Sequence, residues 1–534
     1  MIEYNRKQFL VVDDFTDFRA ALIGMLRQMG VNDIDAVGRG EEALALCRRN
    51  QYDVILHDYN LGSGKNGQQV LEELHHRRLL PPHCVFVMIS AESSQAMVLA
   101  ALECEPDSYL AKPFNQASLQ QRLDRLIAMK TALRPLLEAH HEGEHARVLE
   151  ACRQVIAAHP RYRPQCQRYL VMALGGLGQH GEQERVLRDL IAERPVPWAM
   201  LALAELYRNS GRLDEARDTY EEGIRQFPRV PAMYDGLAAT ALAQGDPEQA
   251  QDYLQQGLRL SPNSLRRQET MGSLARRNRD HEQAARAYRQ AVELGRHSLF
   301  RNPENHLNLV SSLHAQSDDG TLSQRQLVEI RQTLTELDRT WRDDPALAVR
   351  SRLAQAQTLR RTGQEDEARR LTDQALEQLQ EMPGFFSAEA AMQVFTQLEE
   401  LGQSQRAQQV LATCAEMYGD DSQVMDALAR HTDDPDILAA GSEALEWNRQ
   451  GILQYQQKQY AAALELFRRA GAAQPRNISF ALNTAQSLLR LISREPSADL
   501  VRECRACLQR ASQMPADDHR RERYLKLCDR LEAQ

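Results

Sequence analysis

Apolar residues follow two different rhythms along this chain. Up to about residue 130, short unbroken apolar runs alternate with amphipathic stretches. The segments QFLVVDD (8–14), DIDAVG (33–38), YDVILHD (52–58), CVFVMIS (84–90) and SYLAKPF (108–114) predict strands. Their length and β-branched content suit strands buried on both faces. Amphipathic segments near 16–29, 41–50, 66–78, 93–104 and 115–130 follow them. Five alternating units predict a doubly wound α/β domain, a five-stranded parallel sheet with helices on both faces. In such sheets ligands bind beyond the carboxyl ends of the strands.

After residue 130 the strand signal stops, and helix pairs punctuated by Gly and Pro predict an all-α solenoid. Pro160, Pro195, Pro228 and Pro262 stand 35, 33 and 34 residues apart. At an offset of 34, Met200, Leu203, Ala204, Ala216, Tyr220, Gly223 and Pro228 fall on Tyr234, Leu237, Ala238, Ala250, Leu254, Gly257 and Pro262. Small residues let helix backbones approach, large ones fill the space between, and proline stops the second helix. Further copies occupy 265–297, 350–380 and 444–477, the last marked by Trp447, Gly451, Ala463, Phe467, Ala470 and Pro475. Residues 300–345 and 384–440 are helical but depart from the period, as divergent repeats or inserted helices. The expected organisation is 1–130, 131–482 and, as capping helices for a last repeat with no neighbour, 483–534.

Composition narrows the options. Net charge is −9, which argues against a nucleic-acid binder, because neutralising phosphates needs a concentrated basic surface. The basic run at 266–279 reads as a solvated helix face. No apolar run approaches the roughly 18 residues of a membrane span, and MIEYNRKQFL lacks the apolar core of a signal peptide. Nine scattered cysteines suit free thiols in a reducing compartment, so a cytoplasmic location is expected. Cys504 and Cys507 form a lone CxxC, read as ordinary helix positions rather than a zinc site. His140, His141 and His145 read as exposed helix ends.

The chemistry gathers in the first half. Asp13 and Asp14 end the first predicted strand, Asp58 the third and Ser90 the fourth, and Lys112 lies near the end of the fifth. The topology puts all five at one sheet edge. Three crowded carboxylates repel one another. A hard divalent cation such as Mg²⁺ relieves that repulsion through oxygen ligands, while Lys112 and Ser90 offer a cation and a hydroxyl to phosphate oxygens. His57 is read as a packed residue without a catalytic part. The paired acids after VV, the strand-three Asp, the strand-four Ser and the KPF at 112–114 together resemble the response-regulator receiver family over about residues 7–130.

The resemblance implies a flavodoxin-like fold with Asp58 as phosphoacceptor. It implies that Asp13, Asp14, Asp58 and the backbone carbonyl of Asn60 hold Mg²⁺, and that Ser90 and Lys112 bind the phosphoryl group. Ser90 and Tyr109 would form the switch, with the face of segments 93–104, 108–114 and 115–130 changing its preferred partner. Asn60 and Glu92 stand where the family tunes phosphoryl lifetime, and both can orient water, so fairly quick hydrolysis is expected. The loop YNLGSGKNG (59–67) departs from the family by one extra residue and the lack of a proline. A sensor histidine kinase or phosphotransfer protein is the implied donor; control through receiver–repeat docking or through receiver pairing into a homodimer is left open.

The period near 34 resembles tetratricopeptide repeats, which bind proteins on a concave surface. Asn448 matches a position that holds a carboxylate in some members, but Leu201 and Asp235 do not, so that clamp is not expected. Trp198, Arg208 and Asn209 are expected on an inner face. No phosphate loop, HExxH or GxSxG occurs after residue 130. The expected function is a signalling protein rather than an enzyme with a separate substrate: phosphorylation of Asp58 controls protein contacts of the solenoid. The competing functions are a transcriptional regulator contacting nucleic acid through divergent helices, and a phosphate sink on a scaffold.

Overall fold

The computed structural model describes residues 2–91, 99, 103–316, 321–381, 387–432, 434–438, 441–514 and 518–532. It forms two compact units, Met1–Ser312 and Leu313–Gln534.

The first unit opens with a parallel sheet of β1 (Gln8–Val12), β2 (Asp33–Val37), β3 (Val54–Asp58), β4 (Val85–Ser90) and β5 (Ser108–Ala111) in the order β2-β1-β3-β4-β5. This is the flavodoxin-like order, whose reversal point lies between β1 and β3. β3 and β4 are buried along their whole length, as central strands covered on both faces must be. Alternate side chains feed two cores. Phe9, Val11, Val54, Leu56, Val85, Val87 and Ile89 pack with α1 (Thr16–Gln28) and α4 (Gln116–His141). Leu10, Val12, Ile55, Phe86 and Met88 pack with α2 (Gly40–Cys47) and α3 (Gly67–His76). The helix expected over 93–104 lies outside the described residues, apart from Leu99, Glu103 and Cys104.

α4 starts at an Asn115 cap, whose side chain accepts from Ser118 N at 2.9 Å. Leu119, Leu123, Leu126 and Ile127 belong to the sheet's core. Leu133, Leu136 and Leu137 of the same helix pack with Val148, Ala151, Cys152 and Val155 of α5 (His145–Ala158). The boundary drawn at residue 130 therefore falls inside one helix. Pro135 stands inside the helix just past that point, and the helix runs on through it to His141.

Helix pairs follow: α6 (Arg163–Gly176) and α7 (His180–Glu193), α8 (Pro197–Asn209) and α9 (Leu213–Gln226), α10 (Pro231–Gln244) and α11 (Pro247–Leu260), α12 (Leu265–Arg277) and α13 (His281–Gly295), then α14 (Glu304–Ala315). Pro160, Pro195, Pro228 and Pro262 each stand two residues past the end of α5, α7, α9 and α11. Proline lacks the backbone donor another turn would use and disfavours helical geometry in the residue before it. At Gly236 of α10 a Cβ would fall 2.2 Å from the ring of the fully buried Tyr220 of α9, so a bare backbone is required there.

The basic run corrects one expectation. Arg266, Arg276, Arg277 and Arg279 are solvated, but Arg267 is buried. Its guanidinium turns in to a bidentate pair with Asp235 of α10, at 2.6 and 2.7 Å.

The second unit is helical throughout its described residues: α15 (Gln324–Thr340), α16 (Pro345–Arg361), α17 (Glu365–Glu381), α18 (Ala388–Glu400), α19 (Ser404–Tyr418), α20 (Ser422–Leu428), α21 (Pro435–Leu438), α22 (Ser442–Gln456), α23 (Tyr460–Ala473), α24 (Ile478–Ile492), α25 (Ala498–Ala511) and α26 (Arg521–Glu532). The boundary drawn at 482 falls within α24. Cys504 and Cys507 lie in the apolar core that α24, α25 and α26 share. Among the described residues, no helix is long and apolar enough to cross a membrane.

Candidate functional site

Asp13 and Asp14 follow β1, Asp58 ends β3, Ser90 ends β4, and Lys112 is the first residue past β5. Parallel register delivers them to one edge: Asp58 lies opposite Ile89, and Ser90 opposite Ala111. The Lys112 amide donates to the Ser90 carbonyl at 2.8 Å, tying the exit of β5 to the end of β4.

The turn after β3 is built for close approach. Gly67 donates to Tyr59 O at 2.8 Å, and a Cβ on it would stand 2.6 Å from the Asp58 carbonyl and 2.7 Å from Met88 Sδ. α3 begins there with a reciprocal cap: Asn66 Oδ1 accepts from Gln69 N at 2.9 Å, and Gln69 Oε1 accepts from Asn66 N at 3.1 Å.

Asp13 and Asp58 are buried and Asp14 is exposed, with carboxylate oxygens of all three within 4.8 Å of one another. Lys112 Nζ lies between two of them, 2.7 Å from Asp13 Oδ2 and 2.8 Å from Asp58 Oδ2. It also sits 4.0 Å above the Phe18 ring. Asp13 Oδ1 accepts from Phe15 N at 2.9 Å, so the strand-to-α1 turn orients that carboxylate.

The electrostatics follow from burial. Burial raises the Asp58 carboxyl; Lys112 opposes that, and Asp13 adds to it. Burial pulls the Lys112 ammonium down, but its bonds to Asp13 and Asp58 outweigh it and leave the group above its ordinary value. Buried His57 is pushed down to about 4 and is neutral. Its Nδ1 lies 2.6 Å from the Asp58 carbonyl, and its ring stacks on Phe86. His57 is thus a packed residue holding the strand end.

The donor set fits a hard divalent cation: three carboxylates converge, and one cationic side chain already offsets two of them. Among the described residues, this is the one group of three or more acidic, histidine or cysteine side chains whose ligand atoms converge in this way.

Ser90 is buried beside the cluster. Tyr109 on β5 is half-buried against the core on the α2–α3 side, and Arg122 Nη1 donates to its carbonyl at 2.9 Å. Asn60 Oδ1 accepts from Gly62 N at 3.4 Å in the loop after Asp58. Glu92 lies outside the described residues.

A family profile described as the response regulator receiver domain matches residues 9–124. Residues 9–124 are a receiver domain. Two profiles described as tetratricopeptide repeat match residues 197–240 and 231–264 of the helical region. The chain is similar to the chemotaxis protein CheY-3 of Vibrio cholerae, with 29% identity over 120 residues, 22% of this chain and 91% of that protein. It is also similar to the chemotaxis protein CheY of Pseudomonas aeruginosa, with 24% identity over 120 residues, 22% of this chain and 95% of that protein. Among solved structures, the receiver domain of a Francisella response regulator shares 27% identity, with 23% of this chain and 98% of that one covered at a TM-score of 0.21. The matched profiles give the chain a response regulator receiver domain together with tetratricopeptide repeats, and they support a phosphorelay role.

Other sequence-marked residues fall outside the receiver's acidic edge. Trp198 packs partly into the core around α8 and α9. His140 stacks edge-on against Tyr169 at 5.1 Å. Sequence reasoning missed the buried Arg267 and its partners. Their signal was an acid, Asp235, nearly one repeat before a base.

Proposed function

We propose that Asp58 accepts a phosphoryl group from a histidine kinase or phosphotransfer protein, and that its phosphorylation controls protein contacts of the repeats. The observation that carries this reading is Lys112 Nζ bridging Asp13 and Asp58 at the reversal point of the sheet.

The Asp58 carboxylate attacks the phosphorus of a phosphohistidine in line. The N–P bond breaks and its electron pair returns to the imidazole. Lys112 swings from the carboxylates to a phosphoryl oxygen, and the Ser90 hydroxyl donates to another. Mg²⁺ held by Asp13, Asp14, Asp58 and the Asn60 carbonyl would neutralise charge on the carboxylates and on the incoming phosphoryl oxygens. The new group adds roughly 1.5 to 2 negative charges and three acceptor oxygens at the end of β3. Ser90 moves toward it and Tyr109 moves inward, as a shift between two populations. Asn60 and Glu92 orient the water that later removes the group.

Acetyl phosphate with Mg²⁺ tests the reading by intact mass and peptide mapping. One phosphoryl addition at residue 58 is expected, absent in Asp58→Asn. No addition, or addition elsewhere, refutes it.

A further inference from the structure

Within the first unit, two receiver segments meet one edge of the repeats. Glu103 lies on the connection from β4 to β5. Its Oε1 accepts from Arg267 Nη2 at 3.0 Å, and its Oε2 from Ser261 Oγ at 3.2 Å. Glu105, two residues on, pairs with Arg168 of α6. The second segment is the loop after Asp58 together with α3. Lys65 Nζ donates to His297 O at 2.5 Å, and Gln69 Nε2 to Leu294 O at 3.1 Å. These carbonyls lie at and just beyond the end of α13, where helix carbonyls lack partners of their own and attract donors. His76 meets the Phe300 ring edge-on at 5.5 Å.

The seat for Glu103 is built into the repeats. The Arg267 side chain is 4% exposed. It is forked on Asp235, and its Nη1 donates to Ser261 O at 3.1 Å. Gly257 gives it room: a Cβ there would come within 3.3 Å of its Cδ and Nε. A buried cation is stranded when its counter-ion leaves, but Arg267 keeps Asp235 when Glu103 departs. The contact is therefore releasable without breaking the repeat. Burial raises the Glu103 carboxyl despite Arg267, so desolvation offsets part of the attraction.

Glu103, Glu105, Lys65, Gln69 and His76 all belong to the two connections leaving β3 and β4 at the ends that carry Asp58 and Ser90. We propose that the repeat edge running from Asp235 to Phe300 is a docking surface whose occupant is the receiver itself, latched by Glu103 on Arg267, and that phosphorylation of Asp58 releases it. This rests on the proposed role of Asp58 and adds the surface on which that role acts. Linkage then requires reciprocity: the factor by which the phosphoryl group weakens docking is the factor by which docking weakens binding of a phosphoryl mimic.

The test uses the full chain, beryllofluoride with Mg²⁺ as the phosphoryl mimic, and Glu103→Lys, which sets like charge against Arg267 from the receiver side and leaves the repeats intact. Hydrogen–deuterium exchange at 261–268 and 294–300 is read alongside beryllofluoride affinity. Glu103→Lys without the mimic should expose both segments, and the mimic should expose them in the unsubstituted chain. Glu103→Lys should also bind the mimic roughly fivefold or more tightly. Unchanged exchange in Glu103→Lys overturns the docking surface. Unchanged exchange in a chain that binds the mimic at Asp58, or equal affinity in both proteins, overturns the coupling. Failure of the mimic to bind at Asp58 sinks the role of Asp58 and the release with it, while exposure in Glu103→Lys would still uphold the docking surface.

Discussion

In the receiver, Asp13, Asp58, Ser90 and Lys112 come from four separate strand ends and meet because parallel strands finish on one edge. In the repeats, Asp235 and Arg267 are 32 residues apart on neighbouring helices and meet because one repeat stacks on the last. The first arrangement gives each position a single chemical task that its neighbours cannot share. The second sets the architecture by a period and leaves each surface position free to vary. A strand-end site can therefore be read from residue order alone. A repeat surface becomes readable only when the residue one period away is considered with it.

The sharpest way to break the comparison is to remove the ammonium that bridges Asp13 and Asp58. Lys112→Met leaves Asp13 and Asp58 buried without that partner, at a cost of about 3–5 kcal/mol in chelator. Labelling at Asp58 should fall about 10²- to 10³-fold, the loss expected when one preorganised donor to a reacting oxyanion is removed. Urea unfolding with and without Mg²⁺ checks the first expectation, and a time course of acetyl phosphate labelling checks the second. Added Mg²⁺ should restore more stability to the variant than it adds to the parent chain. Equal Mg²⁺ increments would show that the carboxylates do not share a cation.

Two helix glycines sharpen the contrast between the regions. At Gly24 in α1 of the receiver a Cβ would meet nothing within 4 Å, whereas at Gly236 it would fall 2.2 Å from the Tyr220 ring. Gly24→Ala should stabilise by up to about 1 kcal/mol, the usual helix preference for alanine. Gly236→Ala has the same gain, but overpacking a buried aromatic costs about 1–3 kcal/mol, so it should destabilise. Chemical unfolding of both variants decides it, and two shifts of the same sign would refute the close approach of α9 and α10.

The same contrast explains what was legible. The five strands and the acidic edge could be read because apolar runs end in charged residues that have no other reason to recur at strand ends. The repeats were visible through Pro160, Pro195, Pro228 and Pro262, because helix stops are local. The boundary at 130 was not visible. α4 passes from the sheet's core to α5 as one helix, and Pro135 inside it reads from sequence as a helix stop rather than as a point the helix runs through. Arg267 was read as solvated because its helix is basic, and its burial depends on Asp235 and Glu103, which are distant in sequence. The carboxylate seat is thus a tertiary property, like the latch it supports.

The smallest effect concerns pH and separates His57 from the acids around it. Burial holds the imidazole down to about 4, while an unfolded chain takes up a proton near the ordinary histidine value of 6.5. The native state then binds fewer protons than the unfolded one. The neutral ring's contribution is fully present above 6.5 and is lost progressively as pH falls through that window toward 4. His57→Phe keeps a ring against Phe86 but has no proton to gain and no bond to the Asp58 carbonyl. It should be somewhat less stable than the parent chain at pH 7, with the gap narrowing as the solution is acidified toward pH 4. Urea unfolding monitored by sheet circular dichroism at several pH values reads that gap directly. A constant gap would mean that His57 takes up its proton equally in the folded and unfolded chain, and a widening one that the folded receiver protonates it more readily; either refutes the burial effect.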